Sequence, residues 1–179
     1  MNKERRETGI SNPCTDSENM CTSPFIVDWN GDGHLDIVTG NSCGTFILFE
    51  GRDKGVFSSR AVAISDPSGT PLKLPKPSPK DQFLSFSHPH IVDWDGDGYL
   101  DILASGSAGD IYWWRNISED KEFPEFSKMD RLVSGVIEGP NNAVRIDVVD
   151  FNGDGKLDIL CGDKNNDRLG NIWVILQKN

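Results

Sequence analysis

Three nine-residue stretches carry the chemistry of this chain: "DWNGDGHLD" at 28–36, "DWDGDGYLD" at 93–101 and "DFNGDGKLD" at 150–158. Positions 1, 3 and 5 of each are Asp or Asn, position 6 is Gly and position 9 is Asp. Alternate oxygen-bearing side chains converge on one point when the backbone turns sharply, and the glycine permits that turn. The carbonyl at position 7 adds a further oxygen. Five or six hard oxygens with three or four negative charges suit Ca²⁺, which accepts flexible, oxygen-rich shells. Mg²⁺ demands a tighter octahedron and zinc prefers His or Cys. The alternative is a solvated acidic turn, but like charge at this density is unfavourable unless something neutralises it.

The opening of the motif is shared with EF-hand loops, which place a bidentate Glu at position 12 and run into a helix. Position 12 here is Thr39, Ala104 and Cys161, and the flanks are rich in β-branched residues. Neither an EF-hand nor a dockerin-like loop fits.

The elements that hold the loops are expected to be strands. An apolar run precedes each motif (25–27, 91–92, 144–149) and a second follows its last Asp (35–39, 100–104, 157–161). Beyond a glycine-containing turn lies a third (45–49, 110–114, 171–176). Short Ile-, Val- and aromatic-rich runs punctuated by Gly and Asn argue for strands, and no long window has helical periodicity. Motifs that begin at 28, 93 and 150 give a period of roughly 60 residues, the size of a propeller blade or a similar stacked unit. The expected fold is all-β, with propeller-type repeats in about three blades of antiparallel strands. Residues 1–20 read as a loose tail, and 21–179 as the repeat segment. Its divisions are repeat 1 at about 21–64, a proline-rich insert at 65–82, repeat 2 at about 83–137 and repeat 3 at about 138–179. The insert, with five prolines and little apolar content, is expected to be a surface excursion.

"PFIVDWNGDGHLDIVTG", "PHIVDWDGDGYLDILASG" and "RIDVVDFNGDGKLDILCG" resemble the FG-GAP/VCBS repeat family, whose D-x-[DN]-x-D-G-x-x-D loops join the first two strands of blades, as in integrin α propellers. "GDIYWWRN" resembles the third strand of such a repeat. The resemblance spans most of 24–179 and implies up to three Ca²⁺ ions. The first would be held by Asp28, Asn30, Asp32, Asp36 and the His34 carbonyl. The second would take Asp93, Asp95, Asp97, Asp101 and the Tyr99 carbonyl, and the third Asp150, Asn152, Asp154, Asp158 and the Lys156 carbonyl. Asp95 adds a charge to the second loop, which is expected to bind most tightly, and Lys156 is expected to weaken the third. The family further implies an extracellular or cell-surface module for adhesion, or for binding a protein or carbohydrate ligand. An accessory, non-catalytic part of a larger secreted enzyme or toxin is the alternative. Three motifs are fewer than the four to eight blades that close a propeller, so the expectation is missing blades or self-association, with capping of the arc by the tail and the 51–88 connection as a third alternative.

Composition agrees with a globular acidic chain: 179 residues, 36% hydrophobic, net charge −10. The ten motif carboxylates equal the whole excess of acidic over basic residues. No basic stripe suits a nucleic-acid partner, and no run approaches the ~20 apolar residues of a membrane span. The N-terminus carries charge with no apolar stretch behind it, so it does not read as a secretory signal, which leaves either an intracellular protein or a fragment or processed form. Cys14, Cys21, Cys43 and Cys161 lack zinc spacing. A local Cys14–Cys21 disulfide and free thiols both remain open. The position-2 aromatics Trp29, Trp94 and Phe151 read as packing between blades rather than a sugar platform. Trp113 and Trp114, on opposite faces of one strand, are the better candidates for ligand contact. His88 and His90 read as strand-edge residues, and Asn116-Ile117-Ser118 as a glycosylation sequon that counts only in a secreted protein. No nucleophile elbow, zinc-protease helix or P-loop appears, so no catalysis is expected.

Overall fold

The computed structural model describes residues 23–58, 60–76, 85–106, 109–135, 145–163 and 170–178. Among these residues every regular element is a strand, apart from one 3-10 turn at Asp53–Gly55. The expected 1–20 tail, the end of the insert and any Cys14–Cys21 pairing lie outside the described residues.

Three antiparallel units follow one another along the chain. The first pairs β1 (Ser23–Val27), β2 (Asp36–Gly40), β3 (Phe46–Phe49) and β6 (Val62–Ala63) in that order, with β4 (Gly51–Arg52) and β5 (Val56–Phe57) as a small side hairpin. The second runs β7 (His88–Val92), β8 (Asp101–Ser105), β9 (Ile111–Trp114) and β10 (Asp130–Val133). The third holds β11 (Arg145–Val149), β12 (Asp158–Gly162) and β13 (Ile172–Ile175). The nine expected strands are all present, with small shifts at their ends. No sheet closes on itself among the described residues, and the all-β architecture is that of partial propeller-type repeats.

The registers match across the units. Val27 lies opposite Asp36, Val92 opposite Asp101 and Val149 opposite Asp158. Because side chains alternate along a strand, each sheet offers two apolar faces, and the core lies between sheets. One cluster joins Val38, Phe46 and Leu48 of the first sheet to Ile91, Ile102 and Trp114 of the second. The other joins Trp94, Leu103 and Ile111 of the second to Ile159 and Cys161 of the third. Phe46 and Trp114 meet edge to face with centroids 5.3 Å apart. Trp113 and Trp114 therefore pack into opposite interfaces, and neither stands open as a ligand platform.

The insert departs from its surface reading in part. Thr45 bridges Lys73 and Ser65 bridges Pro71, and Leu72 and Leu74 are buried in the first cluster. Two leucines spaced two apart suffice to face a core when backbone bridges hold the segment extended. Gly40 is demanded by close approach, since a Cβ there would lie 2.0 Å from the Ser87 carbonyl oxygen. Cys43 is disulfide-bonded, while Cys161 is a free, buried thiol.

Candidate metal loops between the first two strands of each sheet

Each motif forms the connection from the first strand of a sheet to the second. In the first loop Asp28 Oδ2 accepts the Gly33 N–H (3.0 Å), Asn30 Oδ1 that of Asp32 (3.1 Å) and Asp32 Oδ1 that of His34 (2.8 Å). In the second, Asp93 accepts N–H groups of Gly96, Asp97 and Gly98 at 2.8–3.0 Å, and Asp97 accepts that of Tyr99 at 3.0 Å. The third repeats the pattern through Asp150, Asn152 and Asp154. Glycines at positions 4 and 6 make this winding possible, with φ between 73° and 91° in all three loops. A Cβ at Gly33, Gly98 or Gly155 would meet nothing, so backbone conformation, not space, selects glycine there.

The position-9 aspartates occupy a different environment. Asp36, Asp101 and Asp158 are buried. Asp36 Oδ2 accepts the Trp29 N–H (2.8 Å) and Oδ1 the Gly51 N–H (2.6 Å). Asp101 does the same with Trp94 and Asn116, and Asp158 with Phe151 and Gln177. Each carboxylate therefore clamps its loop to the second residue beyond the third strand. Each oxygen also keeps a second lone pair. Burial pushes the Asp101 carboxyl up to about 6, against the hydrogen bond from the Asn116 N–H. The Asp32 and Asp154 carboxyls are held below the usual range, chiefly by the N–H groups of His34 and Lys156.

The second loop brings Asp93, Asp95 and Asp97 together, with one carboxylate oxygen from each within 4.8 Å of the others. In the first loop Asp28 Oδ1 is enclosed without a hydrogen-bond donor. An all-oxygen donor set, one member of it an enclosed and unpartnered anionic oxygen, fits a hard divalent cation. Arg115 adds a feature that the motif does not announce. Its Nε lies 2.6 Å from Asp95 Oδ2 and its Nη2 3.1 Å from Asp97 Oδ2, so a guanidinium already offsets charge in the second loop.

Residues 93–161 match the family model of the FG-GAP-like repeat. This segment is similar to that repeat. The matched stretch runs from the second loop through the third, less than half of the chain, and the first motif lies outside it. Comparison with curated proteins and with solved structures gives no match.

Around the FG-GAP-like segment, other sequence signals resolve differently. Asn116 is buried, its Oδ1 accepts the Ser118 N–H (3.0 Å), and its own N–H serves the Asp101 clamp. The sequon reading thus gives way to a structural one. His88 is buried, with Nδ1 facing the Arg145 guanidinium. His90 meets Phe25 at a tilt, with ring centroids 4.6 Å apart, and its Nδ1 lies 3.8 Å from Asp147 Oδ1. Both histidines sit where the first strands of the three sheets meet. Of the position-2 aromatics, Trp29 and Trp94 are buried between sheets, and Phe151 is exposed.

Proposed function

We propose that the chain is a Ca²⁺-binding, non-catalytic β-propeller module used for adhesion or for holding a protein or carbohydrate ligand. The convergence of Asp93, Asp95 and Asp97 in a loop built like its two neighbours is the observation that carries the reading. Calcium is favoured over magnesium by the number of oxygens the loop offers, and over zinc by the absence of His or Cys among the donors. Ligands in the three loops would be Asp28, Asn30, Asp32 and Asp36, then Asp93, Asp95, Asp97 and Asp101, then Asp150, Asn152, Asp154 and Asp158. The position-7 carbonyls of His34, Tyr99 and Lys156 would complete them. Arg115 offsets the extra charge of Asp95, which narrows the advantage that composition gives the second loop.

The ion would act as a strand tie. Extracellular calcium modules bind with Kd of roughly 10⁻⁴ to 10⁻³ M. At ten times Kd each site contributes about 1.4 kcal/mol, and three contribute about 4 kcal/mol, comparable to the stability of a marginal domain. The disulfide at Cys43 supports an oxidising, extracellular setting. A part played beside the catalytic domain of a larger secreted enzyme or toxin uses the same chemistry.

Thermal unfolding in 1–10 mM CaCl₂, the same range of MgCl₂, and chelator tests the reading. A calcium-specific rise in Tm is expected, reduced in Asp97→Ala. Equal Tm values in all three media would overturn it and leave the loops as solvated acidic turns.

A further inference from the structure

The matched registers assign equivalent positions in the three sheets, and the equivalence exposes an unfinished interface. Val27, Trp29, Val38, Phe46 and Leu48 of the first sheet pack toward the second. Their equivalents Val92, Trp94, Leu103, Ile111 and Trp113 pack toward the third. In the third sheet the same positions are Val149, Phe151, Leu160, Ile172 and Val174. Trp29 and Trp94 are 7% and 8% exposed, whereas Phe151 is 57% exposed and Ile172 85%. One face that is twice an interior is therefore, at its third occurrence, a surface.

The opposite end of the row is complementary. At position 8 of the motif, Leu100 packs into the cluster that holds Trp29, and Leu157 into the one that holds Trp94. Trp29 and Leu100 line one cleft, and Trp94 and Leu157 line the next. The remaining member, Leu35, is 62% exposed. Ile26, whose equivalent Ile91 is buried against the first sheet, is 60% exposed. Thr39 and Ile47, farther along that outer face, are covered. The open part is thus the loop end, the same end at which Phe151 and Val149 stand open on the third sheet.

We propose that a second copy of this chain docks head to tail, its first sheet seated on the outer face of the third. Leu35 and Ile26 of the copy meet Phe151 and Val149, repeating the pairings of Leu100 with Trp29 and of Leu157 with Trp94. The contact is heterologous, and such contacts close when rotation brings the last face back to the first. Two copies of three blades make six, within the range at which propellers close. The inference rests on the register equivalence of the sheets and is independent of the metal.

Sedimentation and light scattering of the 179-residue chain from about 1 to 100 μM test it. The expected result is a concentration-dependent shift from the 19.8 kDa chain mass to twice that mass. Phe151→Asp and Val149→Asp on one face, and Leu35→Asp and Ile26→Asp on the other, change exposed side chains, and circular dichroism verifies that each variant folds. Each is expected to weaken the dimer at least tenfold. An equimolar mixture of Phe151→Asp with Leu35→Asp is expected to recover association, because one contact between them is unaltered on both sides. A chain that stays monomeric throughout overturns the proposal. So does a dimer indifferent to Phe151→Asp, and so does one sensitive to Phe151→Asp but not to Leu35→Asp, which would be a tail-to-tail pair.

Discussion

The aspartate at position 9 shows how one residue type serves two demands. Asp36 lies in the same motif as Asp28 and Asp32, yet it is buried and accepts N–H groups from both the loop and Gly51, the second residue beyond the third strand. Those bonds exist without any ion. Asp36→Asn leaves one oxygen to accept and turns an amide NH₂ toward a buried N–H donor, so the loss is that of an unsatisfied buried group, about 1–3 kcal/mol. Urea denaturation in chelator is the measurement. A loss present there places the clamp in the fold itself, and a loss confined to calcium buffer would make Asp36 a ligand only. At this scale the sequence exposes the motif acids, because their types and spacing are local. It hides Arg115 and Asn116, because what joins them to Asp97 and Asp101 is the return of the third strand past the loop. An arginine just after each third strand would be a usable signal, but Glu50 and Leu176 hold that place in the other sheets.

At the scale of elements, apolar runs and glycine punctuation located nine of the thirteen strands, since strand faces and turn glycines leave period-two and positional traces. The small hairpin of β4 and β5 and the strand β6 left none, being only two residues long each, and neither did β10, whose sequence opens on Asp130 and Arg131. Leu72 and Leu74 were hidden by the prolines around them. The first strands carry an acid-sensitive seam that composition also conceals. Burial, with the Arg145 guanidinium beside it, pulls the His88 imidazole down to about 4. Burial lowers His90 too, although Asp147 opposes it. An imidazole that titrates near 6.5 unfolded and near 4 folded binds fewer protons in the native state between those pH values. Its contribution to stability is therefore complete above pH 6.5, falls as the pH drops through the window, and is gone below 4. The full effect is on the order of 3 kcal/mol. Asp101, with its carboxyl raised to about 6, takes up a proton in the folded state over much of the same window and acts in the opposite sense, so the measurement is a difference. From pH 7.5 to 4 the urea midpoint of the unaltered chain in chelator is expected to drop relative to that of His88→Gln, which keeps an acceptor for Arg145 but does not titrate. Parallel profiles would remove His88 from the seam.

Across the whole molecule, stability is carried between sheets rather than within them, because each sheet has two apolar faces and can bury neither alone. That is the logic of repeat architectures, in which neighbouring units supply the core. It makes the cost of one substitution depend on where its repeat stands in the row. Trp94→Ala opens a cavity between the second and third sheets, and truncation of a buried aromatic of this size costs about 3–5 kcal/mol. Phe151→Ala removes the equivalent side chain from a surface, where substitutions usually stay within about 0.5 kcal/mol. Docking of a second copy would change only the latter. Binding that favours the folded state raises apparent stability with concentration, so the deficit of Phe151→Ala relative to the unaltered chain is expected to grow as both are concentrated. That of Trp94→Ala is expected to stay large at every concentration, since its interface lies within one chain. Chemical denaturation of the three proteins at about 1 and 100 μM separates the two cases. A Phe151→Ala deficit that is large already at 1 μM would mean that this face is covered within the single chain.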